Sequence, residues 1–197
     1  MSSILKVSEI QDPTNGNTAL SIATDGKVTG SVNDSRQCVM GFMLTSGVSG
    51  GADPITGWTN SATQVSARGA GEITRGGSVS HSSGTFTFPF TGLWQIEFYA
   101  IQRGDGQDDT LQYDVRSTVD GGSNYTTLTQ VKGGVQQSGC KQNMQMKSLF
   151  KVADTTQYKI QFRQTSFGGS DQTEADANAQ LTYCIFTWLG DADSCQQ

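Results

Sequence analysis

Residues 84–100 read Gly84-Thr-Phe-Thr-Phe-Pro-Phe-Thr-Gly-Leu-Trp-Gln-Ile-Glu-Phe-Tyr-Ala100, a turn signal followed by a run whose apolar residues alternate strictly. In an extended chain successive side chains point to opposite sides, so Trp94, Ile96, Phe98 and Ala100 share one face and Gln95, Glu97 and Tyr99 the other. A helix would scatter the same set around its circumference. The segment therefore predicts a β-strand with one buried and one wet face, the pattern of an antiparallel sheet.

Working outward, the same signal recurs at the spacing of an all-β sandwich. Strands are predicted at 37–44, 64–68, 85–88, 93–102, 110–118, 125–131, 143–152, 157–164 and 180–189. Gly104-Asp-Gly106, Asp120-Gly-Gly122, Gly133-Gly134 and Gly168-Gly169 fall between them as turns, because glycine accepts positive φ. Leu111, Tyr113 and Val115 oppose Gln112, Asp114 and Arg116, and Tyr158, Ile160 and Phe162 oppose Lys159, Gln161 and Arg163. The last strand differs: Leu181, Tyr183 and Ile185 lie on one face, Cys184, Phe186 and Trp188 on the other, and both are apolar. Each sheet of a two-layer sandwich has one inner face, so the second apolar face needs a cover. That cover is a neighbouring subunit or the long loop 46–57 folded back.

Composition agrees. The 197 residues include 24 glycines, and hydrophobic residues make up 35% of the chain, which favours many short strands with glycine-rich connections. A chain of this length buries on the order of 70% of its unfolded surface, so a core forms without disulfides or metals. The net charge of -5 and the lack of any Lys/Arg cluster argue against nucleic acid as a partner. No run is long enough to cross a bilayer as a helix, and Met1-Ser-Ser-Ile-Leu-Lys6 lacks the basic start and apolar core of a signal peptide, so membrane insertion is not expected and synthesis in the cytoplasm is.

Residues 1–30 read as a separate small β-meander. Ile4, Leu5, Val7 and Ile10 precede a turn at Asp12-Pro-Thr-Asn-Gly16, and Leu20 and Ile22 precede a second turn at Asp25-Gly26. Two or three strands with so little apolar surface need a partner to be stable. The predicted organisation is an arm at 1–30, a linker at 31–36, a sandwich domain at 37–190 and a tail at 191–197.

No catalytic constellation or cofactor site emerges, and the chain reads as a non-enzyme. His81, the one histidine, lies in a polar loop without an adjacent acid or a Gly-x-Ser-x-Gly turn. Cys38, Cys140, Cys184 and Cys195 contain no CxxC pair, so no zinc site of familiar spacing forms; they read as reduced thiols, with a bridge at Cys140 or Cys195 after release from a cell as the alternative. Gly104-Asp-Gly-Gln-Asp-Asp109 is acidic without the spacing of a calcium loop and reads as a solvated turn. Gly69-Ala-Gly-Glu-Ile-Thr-Arg-Gly-Gly77 lacks the lysine of a phosphate cradle. Glu97 with Glu72 or Asp114 would make a glycosidase pair only if the fold brought them together.

The spacing of Gly84, Phe86, Gly92, Trp94, Ile96 and Phe98, with Pro89 in a Phe-x-x-Pro variant, resembles the jelly-roll family typified by the complement first-component globular heads and tumour necrosis factor. Trp94 stands where that family usually has Tyr, and Ile96 where it has Phe. Met146-Lys-Ser-Leu-Phe-Lys-Val152, Gln157-Tyr-Lys-Ile-Gln-Phe162 and Thr182-Tyr-Cys-Ile-Phe-Thr-Trp-Leu189 resemble its later strands in order, while Ala153-Asp-Thr-Thr-Gln157 departs from the usual Gly-Asp turn. The resemblance spans about residues 37–190. It implies an antiparallel jelly roll that trimerises around a three-fold axis, and the apolar last strand then assigns Tyr183, Phe186 and Trp188 to the interface.

A second resemblance lies in the arm. Ser3-Ile-Leu-Lys-Val-Ser-Glu-Ile10, Thr18-Ala-Leu-Ser-Ile22 and Asp25-Gly-Lys-Val28 are similar to the start of structural and fibre proteins of tailed bacteriophages, cyanophages in particular, where a short adaptor precedes a jelly roll. The two together imply a non-catalytic virion protein made in the host cytoplasm, a homotrimeric head on an arm that anchors to other virion proteins through Ile4, Leu5, Val7, Ile10, Leu20 and Ile22. Its place is capsid decoration or head fibre, or a tail fibre for host attachment. The alternative is a lectin-like module binding a host-surface glycan through Trp58 and the loop carrying Asp105, Asp108 and Asp109.

Overall fold

The computed structural model describes residues 9–11, 18–22, 28–29, 38–60, 74–75, 77–106, 108–177 and 179–190. Every regular element among them is a strand. The chain divides into two compact units, Met1–Arg36 and Gln37–Gln197.

The first unit holds β1 (Glu9–Gln11), β2 (Thr18–Ile22) and β3 (Val28–Thr29) in an antiparallel sheet of order β1-β2-β3. Ile10 stands opposite Leu20, and Ile22 opposite Val28. Ile4, Leu5 and Val7 lie outside the described residues.

The second unit runs β4 (Val39–Leu44), β5 (Val48–Ser49), β6 (Trp58–Asn60), β7 (Thr74–Arg75), β8 (Ser80–Ser82), β9 (Thr85–Thr87), β10 (Gly92–Arg103), β11 (Asp108–Thr118), β12 (Thr126–Val135), β13 (Lys141–Val152), β14 (Lys159–Thr165), β15 (Gln172–Glu174) and β16 (Tyr183–Gly190). They form two sheets. In the first, β10 pairs along its whole length with β13, and its other edge is shared by β16 and β15; β16 continues to β4, which pairs β6 and β7, and β15 pairs β5. In the second the order is β12-β11-β14-β9-β8. All pairings are antiparallel, and the chain crosses repeatedly between the sheets: β4–β7 lie in the first, β8 and β9 in the second, β10 in the first, β11 and β12 in the second, β13 in the first, β14 in the second, and β15 and β16 in the first.

The opening stretch positions this architecture. Its inward set Trp94, Ile96, Phe98 and Ala100 is buried, and from β13 and β16 come Met144, Met146, Phe150, Cys184 and Phe186. Leu111, Tyr113 and Val115 of β11 and Ile160 and Phe162 of β14 meet them from the second sheet. Phe98 stacks on Phe162 with centroids 4.9 Å apart, and Phe86 lies 4.9 Å from Phe186, so aromatic pairs join the sheets directly. Each such pair is worth about 0.5–1.5 kcal/mol beyond its buried area.

Three local expectations are corrected. Gly133-Gly134 is no turn but part of β12, where Gly133 pairs with Leu111; a Cβ on Gly133 would lie 2.7 Å from the Gln142 side-chain oxygen of β13. Loop 46–57 does not fold over β16. Its residues 50–55 run along β14, where Ala52 bridges Gln164 and the Ile55 N–H donates to Phe162 O at 2.7 Å, extending the second sheet past the end of β9. His81 is no solvated loop residue; it sits in β8 with its ring 5.0 Å from Phe86, and its Nε2 accepts the Gly84 N–H. The expected strand 64–68 lies outside the described residues. The departure at 153–157 closes a tight turn in which the Asp154 carboxylate accepts the Thr156 N–H and hydroxyl.

Candidate functional site

The residues assigned to an interface separate. Phe186 and Trp188 face inward: Phe186 packs on Phe42, Phe86 and Phe88, and Trp188 is 6% exposed, its indole N–H donating to Thr91 O at 3.1 Å. A side chain already enclosed by its own core cannot cover a neighbour, so both are removed from the interface. Tyr183, on the opposite side of β16, stays half-buried on the outer face.

That outer face is built by the wet side of the opening stretch. Strand pairing sets Tyr99 opposite Tyr183, and their rings stack with centroids 4.6 Å apart and planes 18° apart. Glu97 stands between Ile185 of β16 on one side and Lys147 of β13 on the other. Leu149, opposite Gln95, is 58% exposed on this face, and Leu189, at the register shift between β16 and β10, is 49% exposed. Tyr99, Ile101, Asn143, Gln145, Leu181 and Tyr183 line a depression of about 260 Å³ in this face.

Beside the depression, two residues before Tyr99 on β10, lies one carboxylate. Glu97 accepts hydrogen bonds from Gln95 Nε2 at 2.5 Å and the Tyr99 hydroxyl at 2.9 Å, and pairs with Lys147 Nζ at 3.1 Å. Gln145 donates in turn to the Tyr99 hydroxyl at 3.2 Å. Burial pushes the Glu97 carboxyl up, but the bonds from Tyr99, Lys147 and Gln95 outweigh it and hold the group below the usual carboxylate range. The hydrogen bond to Glu97, followed by burial, raises the Tyr99 phenol, and burial raises Tyr183.

The proposed ligand loop does not assemble. Trp58 belongs to β6 opposite Leu44, 5% exposed, with its ring 5.4 Å from Phe162 and its N–H bonded to Ile55 O, so it is core and offers no platform to a sugar. Asp108 and Asp109 open strand β11, Asp108 opposite Val135, and leave Asp105 alone in the turn, its N–H donating to buried Asp171 at 2.9 Å. Among the described residues no three His, Cys, Asp or Glu are placed to hold a metal ion. Asp114 lies on the outer side of the second sheet and Glu97 on the outer side of the first, so they cannot flank one glycosidic bond; Glu72 lies outside the described residues. Among the described residues Cys38, Cys140 and Cys184 are free thiols, and Cys195 lies outside the described residues.

Comparison with known proteins gives the fold its class. No family model and no curated protein sequence matches the chain. Among solved structures, Eiger TNF from S. frugiperda is similar with TM-score 0.60 at 14% identity, covering 82% of this chain and 98% of that one. Murine APRIL is similar with TM-score 0.56 at 12% identity, covering 78% and 99%. The second unit is a TNF-like jelly roll.

Proposed function

We propose that this chain is a non-catalytic virion structural protein of a tailed bacteriophage: a homotrimeric jelly-roll head that self-associates through the outer face of β10, β13 and β16, anchored to the particle by its N-terminal arm as capsid decoration or head fibre, or as a tail attachment fibre. The observation that carries the assembly is the Tyr99–Tyr183 stack, with Ile185 and exposed Leu149 on one sheet face. The long free edges favour the face over strand addition. Edge strand β12 is broken by a register shift opposite Val115 and Arg116, and edge strand β13 carries exposed Lys141, Lys147 and Lys151, both devices that discourage edge pairing. The three-fold number follows the family resemblance, and the virion setting follows the resemblance of residues 3–28 to phage adaptors.

In mechanism, the arm hydrogen-bonds its strands to another virion protein while its apolar residues fill pockets there, and the head projects outward. Sedimentation of the purified chain tests the trimer: a monomer at micromolar concentration removes it. Removing residues 1–30 leaves the head folded and trimeric but absent from particles. Stoichiometry in particles then separates the placements, hundreds of copies excluding a tail fibre and a small multiple of three excluding capsid-wide decoration.

A further inference from the structure

Apolar contact is non-directional. On this face similar surface recurs every second residue, through Tyr99 and Ile101 on β10 and Tyr183 and Ile185 on β16, so a second copy could slide by one pleat repeat and bury comparable area. Glu97 interrupts the repeat. It sits at the middle of β10 between Ile185 and Lys147, with both oxygens engaged by Gln95, Tyr99 and Lys147. A register that sets an apolar side chain over this group strips water from the ion pair and returns nothing. A register that leaves the network intact, or adds a donor to its remaining acceptor site, avoids that cost.

We infer that Glu97 is the register-determining residue of the self-association face: it selects one arrangement of copies and contributes little to how tightly they hold. The inference rests on the reading of this face as the contact between copies. Its role is that of a polar group kept for uniqueness at the expense of strength, as single buried polar residues do in coiled coils.

Sedimentation velocity and native mass on the full chain test it with Glu97→Leu and the isosteric Glu97→Gln. Wild type is expected as one oligomer size. Glu97→Leu is expected to associate at least as tightly but in two or more sizes, and Glu97→Gln, which keeps the shape and so guards against a folding failure, to show the same spread in weaker form. If both variants keep the single wild-type size, or both become monomers, Glu97 does not set the register and the inference falls while the assembly stands. A wild type that is monomeric throughout overturns the assembly and the inference together.

Discussion

Gly92 and Trp188 meet at the head of β10 so closely that a Cβ on Gly92 would strike the indole nitrogen, and it would also come within 2.6 Å of Gly190 O. Gly92 has φ 127°, a backbone that L side chains rarely adopt. Gly92→Ala therefore combines backbone strain with overpacking and is expected to destabilise the head by about 3 kcal/mol. Urea denaturation checks this against Gly106→Ala, where an added Cβ meets nothing within 4 Å and stability should not change.

Gly92 also shows how far the sequence can be read. Its spacing with Gly84 carried the resemblance, and both have positive φ; a Cβ on Gly84 would lie 2.6 Å from Ile55 O. Alternation gave β10, β11 and β14 with their faces, because each has one apolar and one polar row. It could not orient β16, whose two rows are both apolar: Phe186 points in because Phe42 and Phe86 await it there, a tertiary fact. The core position of Trp58 is not legible in the sequence because its strand spans three residues, too short to show a period. The Glu97 network was half legible, since Gln95, Glu97 and Tyr99 stand in one polar row while Lys147 and Tyr183 arrive from strands far along the chain.

The two faces of β16 should fail differently. Tyr183→Asp places a charge on the outer face and is expected to leave folded monomers, seen as an unchanged near-UV spectrum with a lower sedimentation coefficient. Trp188→Asp removes a core indole, a loss of about 3–5 kcal/mol before the buried charge is counted, and should unfold or aggregate the head. A folded, trimeric Tyr183→Asp would remove Tyr183 from the contact.

His81 should make stability depend on pH. Burial against Phe42 and Phe86 lowers its folded pKa below the ordinary imidazole value, and Nε2 can accept the Gly84 N–H only while unprotonated. The unfolded chain thus takes up the proton first as pH falls. The contribution is fully present above about pH 6.5 and is lost below it, down through the folded value. Denaturation midpoints measured from pH 7.5 to 5.5 should fall for wild type and fall less for His81→Gln, which cannot titrate; equal slopes would count against this role.

Asp114 is fully buried on the outer side of the second sheet, where its Oδ2 accepts from Arg163 Nε at 2.7 Å and more closely from Nη2, and its Oδ1 accepts from Gln112 at 2.6 Å. Arg163 keeps a second carboxylate, Asp53, at 3.7 Å, and Asp53 also pairs with Arg116 at 2.6 Å. Removing one partner of a buried pair is costly mainly because the other charge is stranded. Here Arg163 is 25% exposed by side chain and retains Asp53, so Asp114→Ala should lose about 3 kcal/mol, the low end for such a pair. Arg163→Met alone strands the more deeply buried carboxylate and should lose more. The double variant Asp114→Leu/Arg163→Met strands neither charge and should be more stable than the Arg163→Met protein. Urea midpoints of wild type and all variants, with Asp114→Leu measured alone to close the cycle, decide it: additive losses would mean that the two groups act independently.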